Sequence, residues 1–207
     1  MINKASMSEM KPKGGNKYPK YTTTNPVARY LMNGFVAKLD IFVASINPAS
    51  IHEIGCGEGH LISRFVKEGR ILKGSDISAK IIAVALQKYE NRGVQFKEAS
   101  VYDLSSRDSA GLILCCEVFE HLEHPDKALD IFADIAQPYL IASVPREPIW
   151  RILNLFRGAY WKTLGNTPDH IQHWSKRGFI HFLHRRFEII EIANPFPWTM
   201  VLCRTGK

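Results

Sequence analysis

The 207-residue chain is predicted to fold as an α/β domain, a doubly wound, mostly parallel seven-stranded sheet with an antiparallel last strand. Three observations predict it. Short apolar runs alternate with helix-periodic segments between residues 50 and 144, the pattern of strands and crossover helices in a parallel sheet. The first run ends in the glycine-rich turn Glu53-Ile54-Gly55-Cys56-Gly57-Glu58-Gly59-His60, at the carboxyl edge where such sheets bind ligands. After residue 176 the pattern changes to one helix and two strands, divided by Arg185-Arg186 and Pro195-Phe196-Pro197.

Taken in order, residues 1–24, with MKPKGGNKYPKYTTT, have no apolar periodicity and read as a flexible basic arm that orders over a site when ligand binds. Most of the formal charge of +7 belongs there, since residues 1–30 hold six lysines and arginines against Glu9 alone. Such an arm is solvated, or it steers a phosphate-bearing substrate or meets an anionic surface. Asn25-Pro26 reads as a helix cap and first-turn proline, and Val27, Leu31, Phe35, Leu39 and Phe42/Val43 recur at helical spacing on one face expected to be buried. Strands are expected at Ser50–Ile54, Ile71–Asp76, Val94–Glu98, Leu112–Cys116 and Tyr139–Val144, with helices over Leu61–Lys67, Ala79–Tyr89 and Lys127–Ala136. A helix near Lys176–His184 and strands at Phe187–Ile192 and Thr199–Arg204 follow.

Residues 25–207 are therefore expected to form a single domain, in which 146–169 is a lid or substrate-binding insert. No apolar run approaches the roughly 18 residues of a membrane span, and the expected location is cytoplasmic. Cys56, Cys115, Cys116 and Cys203 lie in or beside apolar segments without the paired spacing of a zinc site, and read as reduced core thiols.

Glycines at 55, 57 and 59 let the backbone turn sharply and approach a ligand closely. A dinucleotide fingerprint wants glycine where His60 stands, and Glu53 lies two residues before the first glycine. A carboxylate so near repels a pyrophosphate and pairs with an amino group, so the expected ligand is a zwitterion or a cation.

This turn resembles the first motif of class I S-adenosylmethionine-dependent methyltransferases, E/D-x-G-x-G-x-G. The resemblance implies the Rossmann-like fold of that family and S-adenosyl-L-methionine as cofactor, held by Glu53, Gly55, Cys56, Gly57 and Gly59. Gly74-Ser75-Asp76-Ile77-Ser78 is similar to the family's second-strand end, which implies that Asp76 takes both ribose hydroxyls and Ile77 touches adenine. Ser100 stands where the family commonly has an acid facing adenine, so its hydroxyl and the backbone of Val101 are the implied contacts. Cys116 and Glu117, after the fourth strand, would line the cofactor site.

The segment Cys115–Pro125 reads CCEVFEHLEHP. If it winds helically, Glu117, Glu120 and His121 share a face. Two carboxylates and an imidazole are half of a divalent-metal site that leaves positions open for substrate oxygens. The E-x-x-E-H spacing resembles the ubiquinone-pathway O-methyltransferases and the small-RNA terminal 2′-O-methyltransferases, both of which act on adjacent hydroxyls. In the RNA family a further histidine precedes a tryptophan by four residues. His170 matches that offset to Trp174, which makes it a candidate fourth ligand, while His173 tunes it or acts as a base. Magnesium, manganese, iron and zinc are the metals considered, and a mixed oxygen and nitrogen set suits the last three better. Without metal, Glu120, His121, His170 and His173 remain the candidate catalytic residues. Glu123, His124, Pro125 and Asp126 read as the opening of the next helix.

In the insert, Ile149, Leu153, Phe156 and Tyr160 follow helical spacing, with Trp150 and Trp161 adjoining and Arg146, Arg151, Arg157 and Lys162 interspersed. It reads as a lid over an aromatic or isoprenoid substrate, as a helix in peripheral contact with a membrane, or as a nucleic-acid platform. The expected function is O-methylation of a small-molecule or lipid-linked acceptor, with no obligate protein partner. RNA 3′-end methylation and a non-catalytic cofactor-binding scaffold are the alternatives.

Overall fold

A computed structural model describes Tyr21 and residues 23–206, apart from Glu90, Arg157, Ala159 and the Lys162 side chain. Most of the expected basic arm, residues 1–20 and 22, lies outside the described residues. The sheet has seven strands: β1 (Ser50–Ile54), β2 (Ile71–Asp76), β3 (Val94–Glu98), β4 (Ala110–Cys116), β5 (Ala136–Pro145), β6 (Phe187–Ala193) and β7 (Trp198–Thr205). Their order is β3-β2-β1-β4-β5-β7-β6. The first five run parallel to one another, and β7 runs antiparallel to both β5 and β6. The sequence reversal at β1/β4 creates the crevice at the carboxyl edge where a doubly wound sheet takes its ligand.

Helices cover both faces. On one, α1 (Pro26–Ile46) buries Phe35, Leu39 and Phe42 against Trp198, Met200 and Leu114. On the other, α3 (Pro125–Ile135) and α5 (Lys176–Leu183) bury Phe132, Phe179 and Leu183 around Phe119. Asn25 caps α1 by accepting from the amides of Val27 and Ala28, which satisfies two of the donors that a helix start leaves open. Helix α2 (Ala79–Tyr89) follows β2, as its apolar period predicts.

Two expectations change. Val27 is 66% exposed, because the buried stripe of α1 begins one turn later at Met32. The helix expected over Leu61–Lys67 is a single 3₁₀ turn at Ile62–Phe65, after which Val66 is extended and Gly69 adopts φ +75°. The Arg70 guanidinium then takes the carbonyls of Phe65 and Pro48, doing what further helix would have done for Phe65. Between β3 and β4 two 3₁₀ turns, Val101–Asp103 and Ser106–Asp108, take the place of a crossover helix. Buried His52 of β1 ties them to the sheet through Nδ1 to the Asp108 carbonyl (2.8 Å) and Nε2 to Ser75 Oγ (3.0 Å). Burial holds its pKa below the usual histidine value.

Candidate active site

The turn after β1 is built as its glycines suggest. Gly55, Gly57 and Gly59 have φ of +70°, +54° and +80°. A Cβ on Gly55 would lie 2.4 Å from Val118 Cγ2, and one on Gly59 2.7 Å from Phe96 Cζ, so both pack tightly. At Gly57 the same position is open space, on the wall of a pocket shared with Glu53, Cys116 and Glu117. The buried Glu53 accepts the amide of Ile62 at Oε2 (2.9 Å), which fixes the carboxylate beneath the turn.

Asp76, at the end of β2, accepts the Gly57 amide at Oδ2 (3.0 Å) and the Ser78 amide at Oδ1 (2.9 Å). Each oxygen has a second lone pair for a ligand donor. Ile77 is exposed on the rim. The Ser100 hydroxyl accepts the Tyr102 amide and caps a 3₁₀ turn, while the Val101 side chain is buried in the core. These two residues therefore present chiefly backbone. Cys56 is buried, and burial first, then Glu53 and Asp76, raises its thiol pKa far above the usual range, which leaves it inert.

The segment after β4 departs from the expected helix. Glu117 adopts φ +57°, and only Phe119–His121 winds, as a 3₁₀ turn. This left-handed residue turns Glu117 away from the two side chains that follow. Its Oε1 accepts Trp198 Nε1 at 2.6 Å, and the residue lines the pocket of the glycine turn. Glu120, His121 and His170 come together instead, with one potential ligand atom from each lying within 4.8 Å of the others. Of the four residues expected as candidate metal ligands, these three are gathered and Glu117 is placed elsewhere.

Backbone pairing brings His170 across fifty residues of sequence. The amides of Ile171 (2.9 Å) and Gln172 (3.0 Å) both donate to the Glu120 carbonyl, and Gln172 Nε2 donates to that of Leu122. His121 Nδ1 lies 2.7 Å from the Asp169 carbonyl. A carbonyl only accepts, so Nδ1 carries a proton, and in the neutral ring Nε2 is the nitrogen with the lone pair. The rings of His121 and His170 meet edge to face at 5.0 Å.

His173 does not join this cluster. Its Nδ1 lies 3.9 Å from Glu147 Oε1 at the start of the insert. Burial raises the pKa of Glu147 against the opposing pull of the Arg151 amide and His173. Helix α4 (Ile149–Phe156) doubles back through residues 160–167, where Asn154 Nδ2 donates to the Gly165 carbonyl (2.8 Å). Trp150 turns inward, stacks on His170 at 6.0 Å and donates Nε1 to Thr167 Oγ1. Phe156, Trp161 and Leu164 are 86%, 66% and 71% exposed, while Ile149 and Leu153 of the predicted stripe are half-buried, so only its far end faces outward. Reasoning from sequence missed Trp198, which anchors Glu117, and Glu147 as partner of His173. Nothing local marks either, because both pairings cross the fold.

The sheet order, the glycine turn and the acid at the end of β2 together give the class I methyltransferase fold. Residues 52–139 match the family model described as a methyltransferase domain. Among curated relatives, a ubiquinone biosynthesis O-methyltransferase of Cupriavidus pinatubonensis is 24% identical over 70% of this chain and 65% of its own. One of Nitrobacter winogradskyi is 28% identical over 79% and 66%. The chain thus spans about two thirds of the length of these relatives. Among solved structures, magnesium protoporphyrin IX methyltransferase of Synechocystis with bound S-adenosylhomocysteine superposes with a TM-score of 0.69 at 18% identity, covering 89% of each chain. The N-methyltransferase NodS of Bradyrhizobium japonicum gives 0.68 at 17%, over 93% and 94%. The methyltransferase domain of a bacterial Hen1 gives 0.67 at 18%, over 86% and 100%. These likenesses show the fold of the class I S-adenosylmethionine-dependent methyltransferases, with a match to the methyltransferase-domain model over residues 52–139.

Proposed function

We propose that the chain transfers the methyl group of S-adenosylmethionine to an oxygen of an acceptor with adjacent hydroxyls, and that Glu120, His121 and His170 hold a divalent cation for that acceptor. The gathering of these three donor atoms within 4.8 Å, one short turn after pocket-lining Glu117, carries the reading. The donor set fits a cation: one carboxylate and two imidazoles, with the Asp169 contact selecting the tautomer of the neutral His121 ring whose Nε2 can ligate. When bound, such an ion lowers the pKa of a hydroxyl and fixes its oxygen. S-adenosylmethionine supplies a methyl group already activated by the charge on sulfur.

The protein's own residues would align and deprotonate. Asp76 takes the diol of the ribose with the lone pairs left beside its two amide contacts. Glu53 and Glu117 supply negative charge for the cationic end of the cofactor. His173, beside Glu147 and partly exposed, is the base that removes the acceptor's proton. The exposed Phe156, Trp161 and Leu164 favour an apolar or lipid-linked acceptor over a polyanion. The O-methyltransferase relatives support oxygen as the acceptor atom.

The test is methyl transfer to a catechol, its monophenol analogue and a single-stranded RNA with a terminal vicinal diol, with manganese or zinc and with chelator. Manganese or zinc binding should be seen by calorimetry and lost in His170→Ala. Transfer to the catechol that depends on the ion supports the reading. Equal transfer to the monophenol in chelator refutes the cation's part, and transfer to RNA alone moves the acceptor to nucleic acid.

A further inference from the structure

The crossover from β3 to β4 carries no α-helix, so part of one sheet face, over β1, β2 and β3, has no helical cover. A recess of about 330 Å³ lies there, lined by His52, Lys73, Gln95, Lys97, Arg107 and Asp108. That volume is at the lower end of the range of small-molecule sites, about 300–1,000 Å³. Strand pairing sets His52, Lys73 and Gln95 level with one another, and Lys97 stands two residues further along β3 on the same side.

An open sheet face needs polar side chains, but gathering charges of one sign costs Coulomb energy. Here three cations meet a single carboxylate. Asp108 is paired with Lys97 and accepts the Ser105 amide (3.0 Å), contacts that outweigh its burial and hold its carboxyl below the usual value. Lys73 Nζ reaches only a carbonyl, that of Arg107 at 3.2 Å. Among the described residues neither Lys73 nor the Arg107 guanidinium has a carboxylate within ion-pair distance. The floor is His52, fully buried with both ring nitrogens engaged, so it gives shape without offering a further bond. Phe96 also borders the recess but packs in the α1 cluster on the opposite face. The recess therefore offers charge and the Gln95 amide, with no aromatic surface on which a base could stack.

We propose that this recess is a binding site for a compact phosphate-bearing anion, with Arg107 and Lys73 as its charged contacts. A guanidinium meets two phosphate oxygens with parallel N–H bonds, and an ammonium adds a point charge beside it. The bound anion supplies the counter-charge that the fold leaves out, so it should also stabilise the native state. The recess shares no lining residue with the pocket of the glycine turn, so both can be filled together. Its occupancy is independent of which acceptor receives a methyl group.

Calorimetry on the full, metal-free chain at constant ionic strength tests this, with pyrophosphate as the free anion and methyl phosphate as the same group carried on carbon. Pyrophosphate should bind at a single site, raise the melting temperature and bind equally well beside saturating S-adenosylhomocysteine. Arg107→Gln and Lys73→Gln should each weaken it by about tenfold, the scale of one hydrogen bond to a charged group, and Arg107→Lys by less. Arg185→Gln removes the same charge from a separate ion pair with Asp126 and should stay within about twofold of wild type. Methyl phosphate showing the same pattern assigns the site to phosphate esters, and pyrophosphate alone assigns it to the free anion. Because Lys73 also holds the Arg107 carbonyl, Arg107→Gln is the deciding variant if Lys73→Gln melts low. Absence of binding by both probes at about 1 mM overturns the proposal. So does unchanged affinity in Arg107→Gln, an equal loss in Arg185→Gln, or displacement by S-adenosylhomocysteine.

Discussion

Replacing Gly57 by alanine separates the cost of folding the turn from the cost of blocking it. Gly57 has φ +54° and no atom within 4 Å of a built Cβ, so the strain is that of one left-handed residue, about 1–2 kcal/mol. At the scale of a 207-residue domain, each kcal/mol lowers the melting temperature by about 2–4 °C. Gly55→Ala meets the same backbone penalty at φ +70° and places its Cβ 2.4 Å from Val118 Cγ2. Overpacking adds about 1–3 kcal/mol, for a total of about 2–5 kcal/mol. Gly57→Ala should therefore melt only a few degrees below wild type, while Gly55→Ala should fall about twice as far. Binding should rank the other way relative to stability. The methyl at position 57 projects into the open space of the pocket and should weaken S-adenosylhomocysteine by more than about tenfold in calorimetry. The reasoning fails if Gly57→Ala keeps wild-type affinity, or if it is as unstable as Gly55→Ala.

Two pH-dependent outcomes follow from buried groups. Burial raises the pKa of Glu147, so its ionisation opposes folding once pH passes the ordinary carboxylate range; Glu147→Gln keeps an acceptor for the Arg151 amide and should melt higher than wild type at pH 8, a gain that closes near pH 4. An unchanged or negative difference at pH 8 would count against the burial argument. His52 has the opposite sign, because its depressed pKa gives stability that is complete above the ordinary histidine value of about 6.5 and is lost as pH falls through the folded pKa. Wild type should lose melting temperature between pH 7.5 and 5, and His52→Gln should lose less over the same interval.

Local signals were legible in the sequence, and long-range ones were not. The strand and helix spans from Ser50 to Glu98 are local in origin: period and turn residues set them, and the structure places β1, β2, α2 and β3 at the expected residues. The turn at Gly55–Gly59 was legible for the same reason, since positive φ demands glycine in place. Glu117 shows where this fails. Three- and four-residue spacing implies a shared face only if the segment is helical, and one left-handed residue, held by an indole 81 positions away, sends its carboxylate to the cofactor pocket instead. The partner of His173 was equally illegible, because Glu147 is brought to it by the backbone bond from the Glu147 amide to the Trp174 carbonyl. The exposure of Phe156 was hidden because helical periodicity identifies an apolar stripe without saying what covers it.

The two halves of the site are made by different means, and this bears on how acceptor chemistry changes on a fixed fold. The proposed cofactor half is contiguous: Glu53, the glycine turn and Asp76 lie within one β1–β2 unit, and the Gly57 amide is hydrogen-bonded directly to Asp76. The proposed acceptor half is assembled. Glu120 and His121 follow β4, while His170 arrives on a segment that hydrogen-bonds to the Glu120 and Leu122 carbonyls and is stacked from behind by Trp150 of the insert. Altering the length or packing of the insert would therefore shift His170 without touching Asp76 or the glycines. Glu117 is the joint between the halves, with its carboxylate in the cofactor pocket and its backbone leading into the turn that presents Glu120. On the proposed reading, the assembled half, with its two imidazoles and the exposed Phe156, Trp161 and Leu164, is where the choice of acceptor would be encoded.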